Sequence, residues 1–100
     1  MTLEEFIVDY IRQHSGSVTF GELSQAGTKA GYEMHGDMEL ADGEAFFWTR
    51  MSEEFCVAIR DLLDAGRIRI VETTKLDCMV SSPRIMFSNQ PWIPSRVETT

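Results

Sequence analysis

The residues with the most chemical potential in this chain are carboxylates packed without counter-charge. Between Gly31 and Glu44 stand Glu33, Asp37, Glu39, Asp42 and Glu44, and that stretch holds no Lys or Arg. Such a run can ligate a hard cation or attract a basic surface. The spacing Asp37-x-Glu39-x-x-Asp42-Gly43 comes nearest to a calcium loop, and it fails. Ala41 stands where the third ligand belongs, Gly43 comes one residue late, and Trp48 replaces the closing carboxylate. The expected role is attraction of a protein partner with a basic surface, with no metal and no cofactor.

Nucleophiles and bases are scarce. The histidines are His14 and His35, and the cysteines are Cys56 and Cys78. A nucleophile needs a nearby base, and the base needs an orienting partner. None of the four falls in a motif that supplies both, and their spacing is not that of a zinc site. No phosphate loop, nucleophile elbow or HExxH helix is present. The chain is therefore expected not to be an enzyme. The two cysteines read as reduced thiols that behave as small hydrophobes. The available cations lie in the second half. Arg60, Arg67, Arg69, Lys75 and Arg84 are the residues that could touch DNA phosphates.

These groups must be carried by a small number of elements. Thr2 and Glu5 form a capping box, and Leu3, Phe6, Ile7, Tyr10 and Ile11 follow on one helical face. Arg12 and His14 sit where the helix dipole favours positive charge, and Gly16 is a stop. Thr19 and Glu22 form a second box, and Phe20, Leu23, Gly27 and Ala30 mark a short helix ending near Gly31. Residues 32–51 are ambiguous. Gly36-Asp37 and Asp42-Gly43 signal turns. Phe47, Met51 and Phe55 are spaced by four, so Ala45–Met51 fits the start of a third helix, but also a separate strand or turn. The aromatics Phe46, Phe47 and Trp48 suit the core first and a partner surface second.

A third helix is expected from about Ser52 to Ala65, capped by Ser52 with Glu53 and Glu54 in its first turn. Its polar face offers Glu53, Glu54, Arg60, Asp61 and Asp64. Gly66 stops it, and Arg67-Ile68-Arg69-Ile70-Val71 alternates as a strand. A second strand is expected at Arg84–Phe87, with Glu72–Pro83 as a loop between them. The core is expected to gather Phe6, Ile7, Ile11, Leu23, Phe55, Ile59, Leu62, Ile68, Ile70 and Phe87. Trp92 and Ile93 either pack over the domain or wait for a partner. One domain over residues 1–94 is expected, with residues 95–100 fraying.

The bulk properties fit that picture. The chain has 100 residues, of which 43% are apolar and 25% charged, so it can build one compact core. The net charge is −7. Residues 1–50 hold nine acids against three bases, and residues 51–100 hold seven against six. A domain gripping phosphates usually presents a basic face, and none is evident here. Nothing reads as a signal peptide or a membrane span, so a cytoplasmic location without membrane contact is expected.

The element order resembles the winged-helix superfamily. The likeness covers residues 2–31 and 52–88. It rests on Val18-Thr19-Phe20-Gly21-Glu22-Leu23 and on the run Ala58-Ile59-Arg60-Asp61-Leu62-Leu63-Asp64-Ala65-Gly66-Arg67-Ile68. The resemblance implies an α+β domain of three helices followed by a β-hairpin, the wing. The acidic segment between helices two and three is a departure, because that family usually has a short turn there. The family serves DNA-binding regulators and protein-docking modules alike. Four of the five charged residues on helix three are acidic, which favours the docking reading: a small regulatory or inhibitory protein-binding module, in its sharper form a nucleic-acid mimic. Its partner surface is expected to comprise Glu33, Asp37, Glu39, Asp42, Glu44, Trp48, Glu53, Glu54, Asp61, Asp64 and Trp92. The alternative is a DNA-binding regulator that uses Arg60, Arg67, Arg69, Lys75 and Arg84.

Overall fold

The computed structural model describes residues 1–79 and 92–100. The chain is a mixed α+β domain. Its elements are α1 (Leu3–Gln13), β1 (Ser17–Thr19), α2 (Phe20–Lys29), β2 (His35–Asp42), β3 (Ala45–Met51), α3 (Glu53–Asp64), β4 (Ile68–Glu72), α4 (Lys75–Met79) and β5 (Ser95–Thr99).

The helices begin where side chains can satisfy the free backbone donors of the first turn. Thr2 Oγ1 accepts from the Glu5 amide at 3.2 Å, and the Glu5 carboxylate accepts from the Thr2 amide at 3.3 Å. Thr19 and Glu22 repeat the box at the start of α2. Ser52 Oγ accepts from the Phe55 amide at 3.0 Å and donates to the Glu33 carbonyl at 2.7 Å. One hydroxyl thus caps α3 and ties it to the segment before β2. At the other end of α3, Arg67 N–H bonds the Leu62 carbonyl and Gly66 N–H bonds the Leu63 carbonyl. That pairing needs a left-handed residue, and Gly66 supplies it at φ +70°.

Two antiparallel sheets follow. The first has the order β1-β5-β4. Val97 of β5 lies between Val18 of β1 and Ile70 of β4 in register, and it is fully buried. Residues 95–99 are therefore the central strand, which corrects the expectation of a fraying tail and of a domain ending at 94. The reason is long-range pairing, which no local pattern announces. The second sheet is the hairpin β2–β3, closed across Gly43-Glu44 where Asp42 pairs with Ala45. The turn expected at Asp42-Gly43 is present, and Ala45–Met51 is a strand. At the hairpin base a Cβ on Gly36 would stand 2.8 Å from the Met51 carbonyl oxygen and 2.9 Å from Ser52 Cα, so only glycine permits the close approach.

The core joins α1, α2, α3, the inner face of the hairpin and the first sheet. Ile7, Ile11, Leu23, Phe55, Ile59, Leu62 and Ile68 are buried as expected. Phe6 and Ile70 are only half-buried, and Phe6 stacks on Tyr10 and lies tilted against Tyr32 at the edge of the core. Val18, Met34, Leu40, Met51 and Val97 complete the interior. Cys56 and Cys78 are both buried. The second wing strand expected at Arg84–Phe87, and Phe87 itself, lie outside the described residues.

Part of the expected loop after β4 is helical. Thr74 Oγ1 accepts from the Asp77 amide, and Thr73 Oγ1 donates to the Asp77 carboxylate, so α4 starts on its own threonines. Arg96 of β5 fixes it in place. Its Nη1 donates to both Asp77 oxygens at 2.9 and 2.8 Å, while Nε and Nη2 reach the Ser17 hydroxyl and carbonyl. Arg96 holds the Asp77 carboxyl below its ordinary value against the opposing influence of burial, and Thr73 adds a lesser lowering. A carboxyl whose pKa is lowered on folding stabilises the fold above its unfolded pKa and loses that contribution as pH falls through the folded value. Asp77→Asn should therefore cost up to about 1 kcal/mol at neutral pH, since the pair is partly exposed. The deficit should shrink below about pH 4. Urea titrations of both proteins at pH 7 and pH 3 read this; a deficit that grows in acid would refute it.

Candidate docking face

The outer face of α3 is set by its amphipathic phase. With Phe55, Cys56, Ala58, Ile59 and Leu62 turned inward, Glu53, Glu54, Val57, Arg60, Asp61 and Asp64 are left exposed on the opposite side. Four carboxylates thus share one open helical face with a single arginine. Strand β2 runs alongside the same helix. Its approach is marked at the start by Ser52 with the Glu33 carbonyl, and further along by Cys56 Sγ with the Glu39 carbonyl at 3.9 Å. Seven of the eight residues in β2 are exposed, Leu40 being the exception. Glu33, Asp37, Glu39, Asp42 and Glu44 are all exposed as well.

Not all of these residues converge. Asp42, Asp61 and Asp64 meet around one open groove between the hairpin and α3, with Arg60 beside them. Glu53 and Glu54 stay on the first turn of α3, outside the groove lining, and Glu44 stays in the hairpin turn. Among the described residues, Asp42, Asp61 and Asp64 form no ion pair. No set of three or more His, Cys, Asp or Glu residues is placed to hold a metal ion among the described residues.

Trp48 leaves the expected partner surface, and of the two alternatives for Trp92 the structure has packing over the domain. Trp48 is buried and stacks on Phe20 with ring centroids 5.9 Å apart, so its ring belongs to the core and is closed to a partner. Trp92 is half-buried and already engaged. Its indole N–H donates to the Phe47 carbonyl at 3.3 Å, and the next residue, Ile93, donates its amide to the Phe46 carbonyl at 2.9 Å. Backbone and ring together hold residues 92–93 against β3, because Phe46 and Phe47 carbonyls on that edge need donors.

The candidate cations do not assemble into one basic face among the described residues. Arg69 pairs with Glu98 at 2.9 Å, and that guanidinium keeps the Glu98 carboxyl below its ordinary value. Arg60 stands among the acids of α3. Lys75 is exposed on α4 and Arg67 is exposed beyond Gly66. Arg84 lies outside the described residues.

Sequence reasoning missed Leu40, Phe47, Val57, Leu63 and Ile70 as groove residues. Val57 carried a readable signal: it is an apolar residue on the charged side of α3, and it is 46% exposed. Leu40 carried another, as the lone large aliphatic residue between Glu33 and Glu44.

Among the described residues, no helix is long and apolar enough to cross a membrane. No family model, no curated protein and no solved structure matches this chain.

Proposed function

We infer that this chain is a winged-helix-like regulatory or inhibitory module that binds a protein partner carrying a basic surface. The observation that carries this reading is the open face of α3, where Glu53, Glu54, Asp61 and Asp64 are exposed beside the exposed carboxylates of β2. Pushed into a DNA groove, that face would set carboxylates against phosphates on both sides. Set against lysines and arginines of a protein, the same charges speed encounter and fix orientation. In the sharper form of this reading, the carboxylates stand in for phosphates and compete with nucleic acid for the partner.

The winged-helix part of the reading is supported by β4 and β5, which pair antiparallel after α3 as the two strands of a wing would. The β2–β3 hairpin is then an insertion between the second and third helices. The cytoplasm is the proposed location, where the buried Cys56 and Cys78 would stay reduced.

The test is a capture from native lysate with and without nuclease, followed by binding kinetics with the captured protein. Asp37→Lys, Glu39→Lys and Asp42→Lys together should slow association about tenfold or more and flatten its salt dependence. Thermal stability should stay level or rise slightly, because exposed like charges are being diluted. Unchanged association kinetics would refute the docking reading. Tight sequence-specific duplex binding that collapses with Arg67→Ala and Arg69→Ala would replace it with the DNA-binding regulator.

A further inference from the structure

The groove between the hairpin and α3 has a composition that the acidic face alone does not explain. Its volume is about 630 Å³. Its apolar lining comes from three separate elements: Leu40 and Phe47 from the hairpin, Val57 and Leu63 from α3, and Ile70 from β4. Its charged lining is mainly acidic, with Asp42 from the hairpin and Asp61 and Asp64 from the helix against the single cation Arg60. Val57 lines this groove at 46% exposure, where a solvated charged face would favour a polar residue. Apolar side chains set beside carboxylates that form no ion pair among the described residues select a ligand that is apolar at its centre and cationic at its edges.

We propose that this groove is a peptide-docking site for a short segment of a protein partner in which one or two large apolar side chains are flanked by lysine or arginine. The proposal rests on the protein-binding reading above and adds what that reading lacks, an apolar anchor and its place. The apolar side chain enters between Phe47 and Val57 and gives up its contact with water there. The flanking cations meet Asp42 on one side and Asp61 and Asp64 on the other. The charges bring the segment in, and the buried anchor sets how long it stays.

The test uses three labelled twelve-residue synthetic peptides and the full chain. The first peptide carries a central Phe and Leu flanked by lysines. The second has both replaced by Ser, and the third has the lysines replaced by Glu. By fluorescence anisotropy at physiological salt, the first should bind about tenfold or more tighter than the second, and the third should not bind. Val57→Asp adds a carboxylate but removes an apolar side chain from the lining, so it should erase the advantage of the first peptide over the second. Leu76→Asp, at an exposed leucine outside the groove lining, should leave that advantage intact. Asp61→Lys with Asp64→Lys should weaken both lysine peptides. If the two lysine peptides bind equally and Val57→Asp changes nothing, the groove proposal fails while the acidic-face reading stands. If neither lysine peptide binds, or charge reversal leaves their binding unchanged, the acidic-face reading fails with it.

Discussion

A chain cut after Pro94 should not fold. The six residues removed include all of β5, which pairs with three residues of β1 and five of β4. Without it, β1 and β4 have no neighbour in common and the first sheet ceases to exist. Each ladder hydrogen bond contributes about 0.5–1.5 kcal/mol net, and the buried groups left without partners cost more. Val97 adds the burial of a whole side chain, about 1.5–3 kcal/mol. Arg96 takes with it the bonds to Asp77 and Ser17. Against a total stability of about 5–15 kcal/mol for a domain, losses on this scale leave nothing. The truncated protein should show no cooperative thermal transition by circular dichroism. Val97→Asp in the full-length chain should approach the same state by placing a charge at the buried centre of the sheet. A cooperative transition within a few degrees of the intact protein would refute the central role of β5.

The second large effect is expected at Leu62. This side chain is 2% exposed and belongs to the main core cluster on the inward face of α3. Leu62→Ala should cost about 2–5 kcal/mol, the sum of lost burial and the cavity left behind. For a domain of this size that is a fall in Tm of at least about 8 °C. Equilibrium unfolding in urea gives the free energy directly. A loss below about 0.5 kcal/mol would put Leu62 at the surface and would rotate the docking face of α3 with it, because the two faces share one helical phase.

The parts of the fold that were legible in the sequence are those fixed by local chemistry. Each long helix starts at a hydroxyl that caps its first turn, and its inward face repeats at helical spacing, as with Ile7 and Ile11 or Phe55, Ile59 and Leu62. The same phase showed which side of α3 would be charged. The strands were legible only where alternation was local, as at Ile68-Arg69-Ile70. Strand β2 buries Leu40 alone, so it has no alternation to read. Strand β3 was obscured by Phe47, Met51 and Phe55, whose spacing by four imitates a helix although the helix starts only after Ser52. Strand β5 has a single fully buried apolar residue, Val97, and its partners stand at residues 17–19 and 68–72. No window of neighbouring residues contains that information.

The candidate site divides in the same way. Its carboxylates could be read from the sequence, because a run without counter-charge is visible by inspection. Its groove could not, because the apolar lining is assembled from three elements whose mutual placement is a tertiary fact. For Trp48 and Trp92 the sequence left a core role and a partner role both open, for a related reason. An aromatic side chain next to charged residues can face either way, and here Phe20 takes one ring and the Phe47 carbonyl takes the other.

The place of β5 in the sheet also sets the timing of folding. During synthesis, β1 emerges early and β4 later, yet neither can join a sheet until residues 95–99 have left the ribosome. The helices can form as they appear, since their contacts are local. The sheet must wait, and it then closes a loop that spans most of the chain, with Ser17 finding Glu98 and Thr19 finding Arg96. Such distant pairing is slow relative to helix packing, since the entropy of closure comes before any reward. The nascent chain therefore passes through an interval in which Val18, Ile68 and Ile70 have no strand beside them. In that interval a holding chaperone has most to offer, and the yield of native protein should depend on how soon residues 95–99 follow β4 out of the ribosome.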